Sequence, residues 1–82
     1  MPYSLHVPRV MEVIWDGLPH AASEALTLAM ADVCEDPIMA TVPYGEDDGV
    51  MRNLVLPTVM AIVLVDAPAK RVVLVQINHF DW

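Results

Sequence analysis

Leu54 to Val65 reads LVLPTVMAIVLV, and Thr58 is the only polar side chain in this run. A helix of the same length would rise only about 18 Å, well short of the roughly 30 Å hydrocarbon core of a membrane. The many β-branched residues favour strands instead. Pro57 cannot donate a hydrogen bond to a sheet ladder, so we expect it to lie in a turn between two strands. Uncharged strands of this kind are usually buried on both faces of their sheet.

The length and composition of the chain limit how such a sheet can be covered. The 82 residues predict a single domain over 1–82, with no room for a second core. Hydrophobic residues make up 56% of the chain and charged residues only 18%. So small a domain has too little material to cover both sheet faces, and the excess apolar surface predicts a protein partner or self-association. The alternative is a dense core with a few exposed Met and Val residues.

Charge and cysteine content narrow the function classes. The chain has eleven acidic and four basic residues, for a net charge of −7. Nucleic-acid binding depends on neutralising phosphates, so this balance opposes binding to DNA, RNA or an anionic membrane surface. The single cysteine, Cys34, permits no internal disulfide, and the first residues lack the basic-then-apolar pattern of a signal peptide. We therefore expect a cytoplasmic protein.

The first half of the chain predicts one strand and two helices. Tyr3–Val7 alternates between apolar and polar residues, which is typical of a half-buried strand. A helix is predicted after Pro8, ending near Gly17, and a second one from Pro19 to the residue before Pro37. The residues expected to face the core are Val10, Val13 and Ile14 in the first helix and Ala22, Leu26, Ala29, Met30 and Val33 in the second.

The second half predicts a loop followed by three strands. Ile38–Gly49 is interpreted as the loop, and its acidic residues 46–48 as a solvated turn, because their spacing does not match a calcium-binding loop. The predicted strands are Val50–Leu56, Thr58–Val65 and Arg71–Asn78, the last two joined by a turn at residues 66–70. The order strand–helix–helix–strand–strand–strand predicts an α+β domain, with a helical hairpin packed on one face of a mainly antiparallel sheet.

In this arrangement the chain resembles the RelE/ParE toxin superfamily of bacterial toxin–antitoxin systems, over nearly its whole length. The segments that carry the resemblance are Tyr3–Val7, Leu18-Pro19, Cys34–Pro37, Met51–Leu54, Val65-Asp66 and Val72–His79. The resemblance implies a compact domain whose exposed sheet face and C-terminal end bind targets. In the RelE branch the activity is ribosome-dependent cleavage of mRNA, and in the ParE branch the target is DNA gyrase. In both branches an antitoxin wraps the toxin and silences it.

The resemblance implies two catalytic positions in this chain. Arg52 matches the family's strand arginine, and His79 matches its C-terminal histidine. Cleavage of RNA through the 2′-hydroxyl needs a proton donor or acceptor and cations that hold the developing charge, so His79 would exchange the proton and Arg52 would supply one cation. The remaining polar positions of the family are occupied by Val59, Phe80 and Trp82, none of which carries a charge or a hydroxyl group.

The sequence therefore favours a toxin-like protein that acts mainly by binding protein, with weak or absent catalysis. The expected partner is an antitoxin or a second copy of the chain, contacting Met60, Ile62 and Leu64, which alternate onto one face of their strand. An mRNA endoribonuclease with a reduced Arg52–His79 site and a gyrase inhibitor are the alternatives. No metal and no cofactor are expected, because the three histidines and Cys34 are scattered and no phosphate-binding glycine loop occurs.

Overall fold

The computed structural model describes residues 2–80 and shows helices packed on a five-stranded sheet. The elements are β1 (Ser4–His6), α1 (Arg9–Asp16), α2 (His20–Glu35), α3 (Pro37–Ala40), β2 (Val42–Pro43), β3 (Met51–Val55), β4 (Val59–Asp66) and β5 (Arg71–His79). The strand order is β1-β5-β4-β3-β2. β1 runs parallel to β5, and every other neighbouring pair is antiparallel. The predicted α+β fold is confirmed, and the predicted long strands and the turn at Pro57 are correct to within about two residues.

The core lies between α2 and the sheet. Leu26, Met30 and Val33 project from one face of α2, as the sequence predicted, and all three are buried. They pack on alternate residues of the central strands, because successive side chains of a strand point to opposite faces. The buried strand residues on this side are Leu54, Val59, Ala61, Val63, Val65, Val72, Leu74 and Ile77. A register shift between Ile62 and Val63 marks an irregularity in the β4–β5 ladder.

The segment predicted as a plain loop, Ile38–Gly49, contains two short elements, and this part of the prediction is wrong. Asp36 caps a further single-turn helix, α3, because its carboxylate accepts a hydrogen bond from the backbone N–H of Met39 at 3.3 Å. Pro37 occupies the first turn of α3, where its missing N–H costs nothing. β2 then pairs with β3 at the outer edge of the sheet, a position that tolerates Pro43.

α1 has the opposite orientation from the one predicted. Val10 and Val13, expected in the core, are 63% and 58% exposed, and Ile14 is 39% exposed. Met11 and Trp15 pack against the core instead. Both sets recur at helical spacing, so the helical period alone allowed either face to turn inward. The inward set contains the larger side chains, which bury more apolar surface.

None of the helices formed by residues 2–80 is long and apolar enough to cross a bilayer.

Two alanine substitutions test the orientation of α1. Met11→Ala removes a half-buried side chain from the core, so it should lower the free energy of unfolding by about 1–2 kcal/mol, less than a fully buried methionine would cost. Val13→Ala, at an exposed position of the same helix, should change that free energy by no more than about 0.5 kcal/mol. Urea titration followed by circular dichroism measures both. A larger loss for Val13→Ala than for Met11→Ala would show that the helix is turned the other way.

Candidate functional site

The sheet has one face that the helices do not cover, which we call the open sheet face. Residues that are directly opposite in an antiparallel ladder share a face, so the register identifies its members. They are Met51, Asn53 and Val55 in β3, Met60, Ile62 and Leu64 in β4, and Val73, Gln76 and Asn78 in β5. The three residues predicted to contact a partner therefore lie together on this face. Met60 and Leu64 are half-buried, and Ile62, between them, is 5% exposed.

The centre of the open sheet face is apolar and carries no ionisable group. Its polar side chains are neutral amides, and Gln76 donates a hydrogen bond to Asn78 at 3.2 Å. Asp66 and Arg71 are paired opposite each other at the far end of the β4–β5 ladder. The exposed His6 also lies on this face, beside Val73 at the β1 end. The apolar centre itself offers nothing to neutralise a phosphate chain, but it matches the apolar core of a protein interface.

Asn53 is an incompletely satisfied polar residue within the open sheet face. Its side-chain N–H donates to the sulfur atom of Met60 at 3.4 Å. Its buried Oδ1 atom accepts no hydrogen bond from any residue in 2–80. A buried acceptor without a donor costs about 1–3 kcal/mol, so this oxygen lowers the stability of the domain.

Arg52, predicted as a catalytic cation, is 4% exposed and lies on the helix side of β3. Its Nε–H donates to Thr41 Oγ1 at 2.9 Å, and Nη2 donates to the carbonyl oxygens of Thr41 at 2.9 Å and Ile38 at 3.2 Å. Its Nη1 pairs with Asp47 at 3.1 Å. Four hydrogen bonds occupy most of the five N–H groups of the guanidinium. Arg52 thus ties α3, β2 and the acidic loop to the sheet.

The acidic loop is shaped to reach Arg52. Gly45 and Gly49 both have positive φ angles, of 80° and 75°, a conformation that glycine adopts without steric cost. Asp48 accepts a hydrogen bond from the backbone N–H of Val50 at 2.9 Å, which closes the loop just before β3. Asp47 can therefore contact the buried guanidinium although its own side chain is 77% exposed. The turn predicted as merely solvated also supplies a counter-charge.

His79, the other predicted catalytic residue, is exposed at the end of β5 and is paired with Val59. Arg52 is paired with Val63, which is four positions further along β4. The two Cα atoms are therefore separated by about 13 Å along the strands and about 10 Å across two strand spacings. The structure does not bring Arg52 and His79 together around one phosphate. Trp82, the third position considered, lies outside the described residues.

The remaining nucleophilic and metal-binding groups do not form a second site within residues 2–80. Cys34 is buried in α2, and burial raises the pKa of its thiol, with the negative charge of Glu35 adding to the effect. A thiol of this kind stays protonated and behaves as a small hydrophobic residue, as the sequence predicted. No group of three or more His, Cys, Asp or Glu side chains in this part of the chain is placed to hold a metal ion.

The comparisons with known proteins concern the fold. No family model and no curated protein matches the sequence. Among solved structures, a chain of the toxin–antitoxin complex RelBE2 from Mycobacterium tuberculosis superposes with a TM-score of 0.81 at 18% identity, over 96% of this chain and 99% of that chain. The isolated E. coli toxin RelE gives 0.80 at 19% identity, over 98% of this chain and 86% of that chain.

The fold is that of the RelE toxins. A double mutant of E. coli RelE, bound to a peptide of the antitoxin RelB, matches equally well, with a TM-score of 0.80 at 20% identity over 100% of this chain and 87% of that chain. The resemblance seen in the sequence is therefore confirmed as a RelE-like fold. At such identities the agreement concerns the backbone, and the chemistry has to be argued from this chain's own residues.

Two features of the site were missed at the sequence level. Arg52 alternates with Leu54, a core residue, so its position on the buried side of β3 could have been read from the strand period. Its partners Thr41 and Asp47 could not, because they come from a segment that was predicted as loop. The unsatisfied oxygen of Asn53 left no signal in the sequence, since it depends on which side chains surround it.

Replacing Arg52 tests its structural role. Arg52→Ala leaves the carbonyl groups of Ile38 and Thr41 without their donor, and an unsatisfied buried group costs about 1–3 kcal/mol, so we expect a loss of about 2–5 kcal/mol in the free energy of unfolding. Arg71→Ala removes an exposed arginine from the same sheet and should cost no more than about 0.5 kcal/mol. Unfolding by guanidinium chloride, followed by circular dichroism, compares the two variants. Equal, small losses would show that the guanidinium of Arg52 is not held in the interior.

Proposed function

We propose that this RelE-like protein acts mainly by binding protein through its open sheet face and has little or no nuclease activity. The observation that carries the proposal is the chemistry of that face, which is apolar and uncharged around Met60, Ile62 and Leu64. An exposed apolar surface in a chain this small favours a protein occupant.

An antitoxin is the partner that the neighbouring structures support. RelBE2 and E. coli RelBE are toxin–antitoxin complexes, and a RelE mutant is bound to a RelB peptide. By analogy, an apolar segment of an antitoxin would cover the open sheet face of this chain. In the absence of an antitoxin, we expect a second copy of the chain to cover the same face, because the surface is uncharged at its centre and does not repel itself.

The placement of Arg52 supports weak or absent catalysis. A phosphate-binding arginine has to present its N–H groups to the substrate, whereas those of Arg52 are bonded within the protein. His79 would then have to work without this cation, and general acid–base catalysis alone supplies only about 10²–10⁴-fold of rate. The catalytic roles assigned to Arg52 and His79 stay predictions, and a growth assay tests them.

Inducible expression of the wild type and of His79→Ala separates binding from cleavage. We expect neither protein to shorten cellular transcripts, because the groups that RNA cleavage needs are not assembled. Growth and transcript length are the readouts. Transcript cleavage by the wild type that disappears in His79→Ala would establish the nuclease and overturn the proposal. Growth arrest with intact transcripts would indicate that the protein acts on a protein target, as the gyrase-binding branch does.

A charge placed on the open sheet face tests its role in association. Purified wild-type protein should self-associate at micromolar concentration in sedimentation equilibrium. Met60→Lys buries an unpaired charge in the interface and should raise the dissociation constant by more than about tenfold. Val10→Lys puts the same charge on an exposed position of α1 and should leave association unchanged. A wild-type species of 9.1 kDa that binds no hydrophobic dye would contradict the prediction.

A further inference from the structure

A second surface lies at the β3 edge of the domain, in a groove of about 480 Å³ between α2, α3 and the end of β3. We call it the β3 groove; its lining residues are Ala29, Asp32, Glu35, Asp36, Met39, Ala40, Leu54, Val55 and Leu56. Alanine and leucine side chains supply its apolar part. Met39 is 82% exposed and Val55 is 58% exposed, so two large apolar side chains lie at its mouth.

The backbone of β3 is open toward this groove. β2 pairs with β3 at Arg52 and Asn53, and Tyr44 donates its N–H to Met51, so these contacts end before Val55. Leu56 donates its N–H to Val59 of β4, so the alternation of an antiparallel ladder turns the N–H and C=O groups of Val55 away from β4. Val55 has no backbone partner on that side among residues 2–80. An unpaired edge of this kind accepts an additional extended segment.

The charged residues of the β3 groove are all acidic. The ion pairs found in residues 2–80 are Arg9–Glu12, His20–Glu24 and Arg52–Asp47, so none of them neutralises the groove. Asp36 is engaged as the cap of α3. Asp32 and Glu35 are exposed on α2 and have no cationic partner in the described chain. Their field favours a positively charged occupant.

A second copy of the chain is poorly suited to supply that positive charge. Of the four basic residues, Arg52 is buried. Arg9 lies in α1, Lys70 in the turn before β5 and Arg71 in β5, so none lies on an extended segment that is free to pair with β3. Two copies also carry a net charge of −7 each, which opposes close approach of their acidic surfaces.

We propose that the β3 groove binds an extended, cationic segment of another protein. Such a segment adds to the edge of β3 at Val55, places apolar side chains between Met39 and Leu56, and sets lysine or arginine side chains against Asp32 and Glu35. The apolar contacts and backbone hydrogen bonds supply affinity, and the carboxylates select the charge of the segment. The inference does not rest on the proposed function, because Ala29, Ala40 and Leu54 lie on the helix side of the sheet and the groove shares only Val55 with the open sheet face.

Titration of the full chain with a short synthetic peptide of alternating leucine and lysine tests the proposal. We expect saturable binding, with amide shifts in nitrogen-labelled protein concentrated at Ala29, Ala40 and residues 54–56. A peptide in which glutamate replaces lysine should not bind. Absence of saturable binding by the leucine–lysine peptide, or shifts centred on Met60 and Asn78, would overturn the proposal. The second result would place the peptide on the open sheet face.

Matched charge variants separate a specific site from general attraction to an acidic protein. Asp32→Asn with Glu35→Gln should weaken peptide binding by about 3- to 10-fold, the scale of two exposed ion pairs. Asp16→Asn with Glu46→Gln removes the same number of exposed charges elsewhere and should leave the affinity within about twofold. Equal weakening in the two double variants would show that net charge alone drives binding, and it would contradict a specific site in the β3 groove. Val55→Pro, which removes the free N–H, should also weaken binding.

Discussion

One layer of helices covers one face of the sheet, and most properties of this protein depend on that constraint. Leu26, Met30 and Val33 of α2 bury the inward residues of β4 and β5, and no helix formed by residues 2–80 covers the opposite face. The outward residues Met60 and Leu64 are therefore only half-buried. The high apolar content that looked excessive for a small domain is distributed over a core and an open surface. That surface is where we place the binding function.

The polar residues of the domain support the same conclusion. Arg52 is the arginine that was predicted to act as a catalytic cation. Its side chain lies on the helix side of β3 and holds α3, β2 and the acidic loop in place. A buried arginine bonded to backbone carbonyl groups stabilises the structure that surrounds it, and it is not accessible from solvent. The RelE-like backbone does not by itself fix the chemistry of the surface. Fold and activity are separable in this way because activity depends on particular side chains.

Much of the fold could be predicted from the sequence, and the failures have physical reasons. The strand period and the apolar run at Leu54–Val65 gave the long strands, and the apolar face of α2 was correct. The orientation of α1 was wrong, because two apolar stripes fit the same helical period and packing selects between them. α3 was missed because Pro37 both follows one helix and begins another. For the site, Met60, Ile62 and Leu64 do share one face of the sheet, and their role in binding a partner stays a prediction. The hydrogen-bond partners of Arg52 required the tertiary structure.

We propose that the RelE-like fold of this chain presents a protein-binding surface and not a nucleic-acid-binding one. Fluorescence anisotropy with single-stranded RNA at about 150 mM salt tests it most directly, because exposed charges are screened beyond roughly 8 Å under that condition. We expect no RNA binding at protein concentrations below micromolar, because a chain with a net charge of −7 and a buried Arg52 neutralises few phosphates. Sub-micromolar binding that weakens steeply as salt is raised would contradict it.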